Sequence, residues 1–180
     1  MRILTKTADK DFTVLNLTDI HWDIVAWAPG NQEYETVIST IQELIQRTQP
    51  DLITISGDLS WGMAVESYVA VADLMDSFGI PWAPVWGNHD YEKPEVNRGA
   101  VEEFAKRPLC LFEAGDPVLG CGNYTLVIQE EGRTVAGLLM ADTHKGATFV
   151  DEDGQEKGTW GRLYPNQLDW IKAECRKVNA

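Results

Sequence analysis

The stretch Leu52-Ile53-Thr54-Ile55-Ser56-Gly57-Asp58 is an almost unbroken apolar, β-branched run that stops at a turn and a carboxylate. A run of this kind predicts a strand that is covered on both faces. Two other apolar runs end in the same way: residues 14–20 lead into Asp19-Ile20-His21, and residues 82–86 lead into Gly87-Asn88-His89-Asp90. Side chains at the carboxyl ends of neighbouring strands in an open α/β sheet converge on one crevice. The three motifs are therefore predicted to share a crevice.

Helical patterns separate these predicted strands. Asn31 can cap a helix whose apolar residues recur at helical spacing over residues 37–45. A second helix carries apolar residues on one side over residues 71–78, and Gly79 sits where a helix is expected to end. Pro84 weakens the prediction of the third strand, because proline removes a donor from a strand ladder. Two strand–helix–strand passages predict a right-handed parallel arrangement.

The second half of the chain predicts antiparallel pairing. The predicted elements are a helix at 99–107, strands at 124–129 and 134–141, a polar loop at 149–160 and a helix at 165–178. The strands flank Glu130-Glu131-Gly132-Arg133, which is a hairpin signal. The fold class predicted from the whole pattern is mixed α/β, in one domain that spans residues 1–180.

Composition excludes several classes of function. The 180 residues carry a formal net charge of −13 with no cluster of basic residues, which argues against a nucleic-acid partner. The sequence has no apolar run of about 18 residues, so no membrane span is predicted. The first residues lack the apolar segment of a signal peptide. Three cysteines without CxxC spacing indicate reduced thiols rather than a disulfide framework. The chain is expected to be cytoplasmic.

The chemistry of the three motifs favours a metal site. Carboxylate, imidazole and amide groups bind hard or borderline divalent metals. Asp19, His21 and Asp58 form one predicted half-site, and Asp58, as the bridge, begins a second half-site with Asn88. Two metals about 3.5–4 Å apart can hold a hydroxide between them and clamp a phosphate ester. His89 can then act as an acid at the leaving-group oxygen.

Other interpretations of these residues stay open. Each motif taken alone is also explained by turn and capping chemistry, whereas three motifs at three strand ends favour the metal site. Asp90 is predicted to bond a metal ligand or the backbone rather than the metal itself. Arg98 is either a phosphate contact or a solvated side chain, and Asp142-Thr143-His144 is either another metal group or, as favoured here, a surface histidine. Four tryptophans near the motifs can wall the crevice or pack in the core: Trp22, Trp27, Trp61 and Trp86.

The three motifs resemble the signature of the calcineurin-like metallophosphoesterase superfamily, and the similarity extends over most of the chain. Further segments are typical of the same superfamily, namely Pro50-Asp51-Leu52, Pro81-Trp82, Gly122-Asn123-Tyr124 and Gln167-Leu168-Asp169-Trp170. Within it, the chain resembles the purple-acid-phosphatase-like subgroup. The resemblance implies a four-layer α/β/β/α sandwich with two mixed sheets. It also implies two Mn, Fe or Zn ions, and it assigns roles to five residues: metal binding to Asp19, His21, Asp58 and Asn88, and the catalytic histidine role to His89.

Two departures from that pattern matter. Trp61 stands where purple acid phosphatases have an iron-binding tyrosine three residues after the bridging aspartate. The family's three later histidines have no counterpart, since the histidines here are His21, His89 and His144. We therefore expect a domain that is incomplete at the C-terminus, lacks the last strands and holds at least one metal. The incomplete sheet edge would be open to association.

Two functions follow as expectations. The first is a metal-dependent hydrolase of small-molecule or protein phosphoesters, impaired in this chain by the missing ligands. The second is a non-catalytic metal-binding or protein-interaction module that retains the phosphoesterase fold.

Overall fold

The computed structural model describes residues 1–23 and 29–178. The strands are β1 (Arg2–Lys6), β2 (Val14–Leu17), β3 (Leu52–Ser56), β4 (Trp82–Val85), β5 (Tyr124–Glu130), β6 (Arg133–Met140), β7 (Gly146–Val150) and β8 (Glu156–Trp160). The helices are α1 (Gln32–Thr48), α2 (Val65–Ser77), α3 (Pro94–Phe104) and α4 (Pro165–Val178). Short 3₁₀ helices lie at His89–Tyr91 and Pro117–Leu119. The mixed α/β fold class is confirmed.

The parallel sheet consists of β2, β3 and β4 in that order, with β3 in the middle. Residues 52–55 of β3 are buried, as a strand covered on both faces requires. Pro84 is accommodated because β4 lies at the edge of this sheet. All three strands end at the same side of the sheet, which places the three sequence motifs next to one another.

The mixed sheet consists of β1, β5 and β6, with β1 parallel and β6 antiparallel to β5. The hairpin predicted around residues 130–133 is confirmed, because Glu130 pairs with Arg133 across the turn. A hydrogen bond of 2.6 Å from the Tyr124 hydroxyl to the Pro84 carbonyl oxygen links this sheet to the parallel sheet. Helix α4 packs on β6, and the Thr125 hydroxyl donates to Glu174 of that helix at 2.9 Å.

The predicted helices are fixed by their ends and by an aromatic core. The Asn31 side chain accepts from the Glu33 amide at 2.8 Å, which caps α1 as predicted. Gly79 adopts φ +69°, the left-handed conformation expected just after α2. Buried aromatic rings from α2, α3 and the chain around them pack edge to face, tilted or stacked at centroid distances of 5.2 to 6.2 Å, namely Tyr68, Trp82, Trp86, Phe104 and Phe112.

Some sequence predictions differ from the structure. The polar loop predicted at 149–160 is wrong, because strands β7 and β8 form a hairpin with little burial there. This hairpin lacks the apolar alternation of a strand that faces a core, and the Asp151 side chain holds its turn by accepting from the Asp153 and Gln155 amides. The helix predicted to start at 99 begins at Pro94. Strand β1 was not predicted, since only two of its residues are even partly buried.

Two expectations remain. Trp27, which was expected near the crevice or in the core, lies outside the described residues. Within residues 1–23 and 29–178, no helix has the length and apolar character needed to cross a membrane.

Candidate metal centre

The loops that follow β2 and β3 run side by side. The Asp19 amide donates to the Gly57 carbonyl oxygen at 3.1 Å, and the His21 amide donates to the Asp58 carbonyl oxygen at 2.9 Å. These backbone bonds extend the pairing of the two strands beyond their ends. They bring the first and second sequence motifs into direct contact, as the strand-end argument predicted.

The three candidate ligands in these loops share an unusual backbone conformation. Asp19, His21 and Asp58 have φ values of 53°, 50° and 51°, in the left-handed region. Each such residue costs on the order of 1–3 kcal/mol and is kept only where surrounding bonds determine it. Strand β2 ends at Leu17, before Asp19 and His21, so the alternation of side chains along a strand does not bring these two residues together. Their proximity comes from the turns.

The side chains of these three residues meet at one point. The His21 Nε2 atom lies 3.7 Å from Asp19 Oδ1 and 3.8 Å from Asp58 Oδ2, and one ligand atom from each residue lies within 4.8 Å of the others. Asp58 is buried and Asp19 is exposed. Within the described residues, no lysine or arginine pairs with either carboxylate. Two carboxylates and an imidazole without a cationic partner fit a divalent metal ion.

Two glycines let the second and third motifs approach this point. A Cβ on Gly57, whose φ is +102°, would lie 2.9 Å from the Gly87 Cα atom. A Cβ on Gly87 would lie 2.1 Å from Asp58 Oδ1. Any side chain at Gly87 would therefore displace the carboxylate. Asn88 lies on a crevice of about 380 Å³ that Asp19 and Asp58 also line, whereas His21 is not among its lining residues. The lining residues are Asp19, Ser56, Gly57, Asp58, Val85, Trp86, Gly87, Asn88, Ala141 and Thr143.

Asp90 ties the second and third motifs together from beneath. Its side chain is fully buried, and its carboxylate accepts from the Gly87 amide at 2.8 Å, the Ser60 amide at 3.2 Å and the Tyr68 hydroxyl at 2.8 Å. Burial raises the pKa of Asp90 to about 6, while these hydrogen bonds act in the opposite direction. The prediction that Asp90 bonds the backbone is confirmed. Its role is to hold the loops that carry the candidate ligands.

His89 is held by a chain of contacts that the sequence did not reveal. Its backbone amide donates to Asp58 Oδ1 at 2.9 Å, and its Nδ1 atom lies 3.3 Å from Glu92 Oε1. The other oxygen of Glu92 accepts from Lys145 at 2.7 Å. This hydrogen bond from Lys145 lowers the pKa of Glu92. The spacing of three residues on a helical turn could have identified Glu92, whereas no local signal pointed to Lys145.

The remaining predicted residues fall into two groups. Trp22 and Trp86 are buried in the core, although Trp86 also lines the crevice. Trp61 is 42% exposed and stacks on His21. Arg98 is exposed on α3 and is not one of the residues that line the crevice.

His144, expected at the surface, is partly buried, with 24% of its side chain exposed. Within the described residues it is not part of the group that could hold a metal. Its ring contacts the Tyr164 ring at a centroid distance of 4.9 Å, and its Nε2 atom lies 3.1 Å from the buried Gln167 Oε1. The neighbouring Asp142 is fully buried and accepts from the Tyr91 hydroxyl at 2.7 Å and the Cys121 amide at 3.0 Å. These residues form a packed polar network. The sequence did not indicate it, because Tyr164 and Gln167, which contact His144, come from about 20 residues later in the chain.

The chain is similar in sequence to several known proteins. The sequence model of the family described as Calcineurin-like phosphoesterase matches residues 12–175. Probable inactive purple acid phosphatase 14 of Arabidopsis thaliana is 30% identical, over 95% of this chain and 46% of its own length. Phosphatase DCR2 of Saccharomyces cerevisiae is 28% identical, over 94% of this chain and 31% of its own length. A probable cyclic nucleotide phosphodiesterase of Psychrobacter arcticus is 24% identical, over 95% of this chain and 58% of its own length. The chain thus spans about half or less of the first two relatives.

Proposed function

Because the chain belongs to the calcineurin-like phosphoesterase family, we propose that it is a metal-dependent phosphoric ester hydrolase whose site lies at the ends of β2, β3 and β4. The observation that carries this proposal is the convergence of Asp19, His21 and Asp58, whose ligand atoms lie within 4.8 Å of one another. Residues 1–180 are proposed to belong to one phosphoesterase domain. The match to purple-acid-phosphatase-like relatives supports a phosphoester, small or carried by a protein, as the substrate class.

Asp19, His21 and Asp58 are the proposed ligands of a first metal ion. Asp58 and Asn88 are the proposed start of a second site, with Asp58 shared between the two. Manganese, iron and zinc are the candidate ions, since all three accept carboxylate and imidazole ligands. A bound divalent metal supplies Lewis-acid stabilisation of charge on a phosphoryl oxygen and lowers the pKa of water.

His89 is the proposed proton donor to the leaving group. Its Nδ1 atom faces Glu92, which leaves Nε2 as the atom that can give a proton to an ester oxygen. The Glu92 carboxylate, itself bonded to Lys145, fixes the orientation of the imidazole. The contact between the His89 amide and Asp58 sets the distance between the proton donor and the metal ligands.

The experiment compares metal binding and turnover in matched variants. Mn²⁺ binding is measured by calorimetry, and hydrolysis of 4-nitrophenyl phosphate and bis(4-nitrophenyl) phosphate is measured with added Mn²⁺. We expect Asp58→Asn to lose Mn²⁺ binding and the hydrolysis of both esters. We expect His89→Ala to keep Mn²⁺ binding while losing hydrolysis. Asp169→Asn is the control, because Asp169 is an exposed helix residue. Equal Mn²⁺ binding by Asp58→Asn and the parent chain would refute the proposed role of Asp58.

A second function is a non-catalytic module that keeps the fold and the metal group. One observation favours it, namely that the relative from Arabidopsis thaliana bears the name probable inactive purple acid phosphatase 14. Mn²⁺ binding that depends on Asp58, without turnover of either phosphate ester, is the result expected for this module.

A further inference from the structure

His21 has an unusual environment for a metal ligand. Metal-binding histidines almost always donate their second ring N–H to a carboxylate, a carbonyl or water, and this bond fixes the orientation of the ring. In His21 the Nε2 atom faces Asp19 and Asp58. Its Nδ1 atom is buried and has no hydrogen-bond partner in the part of the chain that the structure describes. Among the described residues, the contacts that can orient this ring are therefore not hydrogen bonds.

Trp61 occupies the position from which the ring can be oriented. Its indole is stacked on the His21 imidazole, with 4.2 Å between the ring centroids and 20° between the planes. The same indole meets the His89 ring edge to face, at 4.7 Å and 68°. The two imidazoles lie 5.4 Å apart. A single side chain thus contacts both a proposed ligand and the proposed proton donor.

The backbone on both sides of Trp61 is fixed. The Ser60 amide donates to buried Asp90, and the Ser60 hydroxyl donates to the Trp22 carbonyl oxygen at 3.0 Å. Gly62 has a φ of +63°, and a Cβ there would lie 2.1 Å from the His89 carbonyl oxygen. The indole is therefore carried by a constrained turn even though its own side chain is 42% exposed.

An ordinary surface tryptophan would not need these contacts, since isolated exposed apolar side chains are common. The coincidence of a buried, unpartnered Nδ1 atom with a parallel aromatic stack is what distinguishes Trp61. Stacked aromatic rings are attractive beyond the area that they bury. The stack can therefore restrict the imidazole in the way that a hydrogen bond does elsewhere.

We propose that Trp61 is a positioning residue, which orients the His21 imidazole for metal binding by stacking and sets its distance from His89. This inference rests on the proposed metal site. It predicts that metal affinity requires an aromatic ring at position 61 and does not require the indole N–H.

The first test measures Mn²⁺ affinity by calorimetry in Trp61→Leu and Trp61→Phe. Loss of an outer partner of a metal-bound histidine weakens affinity by roughly 10- to 100-fold, so we expect Trp61→Leu to weaken Mn²⁺ binding by about tenfold. Trp61→Phe restores the stack and is expected to bind Mn²⁺ nearly as the parent chain does. Trp160→Leu is the matched control, because Trp160 is 76% exposed on β8. Its affinity is expected to be unchanged.

The second test needs no metal. The ring-current shift of the His21 Hε1 proton is measured by NMR in the metal-free chain. The shift is expected to disappear in Trp61→Leu, to persist in part in Trp61→Phe, and to be unaffected in Trp160→Leu.

The outcomes separate the two proposals. Mn²⁺ binding by the parent chain that Trp61→Leu leaves unchanged overturns the positioning role while the metal site stands. Absence of Mn²⁺ binding by the parent chain refutes the metal site. In that case the NMR test still decides whether Trp61 orients the His21 ring. An unchanged His21 shift in Trp61→Leu overturns the stacking as well. A shift that is lost in Trp61→Leu and partly kept in Trp61→Phe upholds the stacking.

Discussion

The carboxylate of Asp90 is expected to be the main anchor of the site, and Asp90→Asn tests this directly. The substitution preserves the shape of the side chain and replaces one acceptor oxygen by an amide group that only donates. In the native chain, one oxygen accepts from the Ser60 amide and the Tyr68 hydroxyl. The other accepts from the Gly87 amide at 2.8 Å and the Leu59 amide at 3.4 Å.

The magnitude follows from the donors that lose their acceptor. If the new NH₂ group faces Gly87 and Leu59, both backbone amides lose their acceptor. If it faces Ser60 and Tyr68, the Tyr68 hydroxyl can accept from it, so only the Ser60 amide loses its acceptor. The second orientation costs less, and an unsatisfied buried donor costs about 1–3 kcal/mol. We therefore expect the free energy of unfolding of Asp90→Asn to fall by about 2 kcal/mol.

The assay is urea unfolding at pH 7, with Asp169→Asn as the control for the same chemical change at an exposed position. Tyr68→Phe removes one donor and is expected to cost about 1 kcal/mol. The two changes share a hydrogen bond, so their effects should be less than additive in the double variant. An unfolding free energy of Asp90→Asn within about 0.5 kcal/mol of the parent chain, the usual range for surface substitutions, would refute the anchoring role.

Three further changes probe the supports of the site. Gly87→Ala is expected to abolish Mn²⁺ binding in calorimetry, because its Cβ would lie 2.1 Å from Asp58 Oδ1. Glu92→Gln is expected to lower turnover of 4-nitrophenyl phosphate about tenfold without changing Mn²⁺ affinity, because it weakens the contact that orients the proton donor. Gln167→Leu is expected to lower the free energy of unfolding by about 3 kcal/mol. This glutamine is fully buried and donates to the Asp142 carbonyl oxygen at 2.6 Å.

Each of these changes has a matched control. Gly158→Ala introduces a methyl group with no atom within 4 Å and should leave Mn²⁺ binding intact. Glu102→Gln and Gln42→Leu make the other two changes at exposed positions. Normal Mn²⁺ affinity in Gly87→Ala would contradict the close approach of the two loops. Unchanged turnover in Glu92→Gln would contradict its orienting role, and unchanged stability in Gln167→Leu would contradict the polar network.

Strands β2 to β4 and helices α1 and α2 were predictable because their signals are local. Residues 52–55 are buried on both faces, and the sequence shows this directly as an apolar run. The exposed hairpin of β7 and β8 gave no such signal, since backbone pairing and one aspartate hold it together. Strand β1 also escaped prediction, because only two of its residues are partly buried and its partner β5 lies more than 100 residues away in the chain.

The convergence of Asp19, His21 and Asp58 was also predictable, but its geometry was not. Three polar motifs at three strand ends indicate convergence, because parallel strands of one sheet end together. Nothing local indicates that Asp19, His21 and Asp58 adopt left-handed backbone conformations. These conformations depend on hydrogen bonds between the loops and on the close contact of Gly57 with Gly87, which form only when the sheet is assembled.

The supports of the site are a harder case for sequence reasoning. Asp90 adjoins the third motif, yet its partners Ser60 and Tyr68 come from the second loop and from α2. The Trp61 ring, in the loop after β3, stacks on the ring of His21, which lies 40 positions earlier in the loop after β2. A motif records which atoms can bind a metal. The residues that hold those atoms at 3.7–3.8 Å spacing lie wherever the fold brings a donor, an acceptor or a ring within reach. Variants of these supports therefore test the site more sharply than variants of the ligands, because they change geometry while leaving every proposed ligand in place.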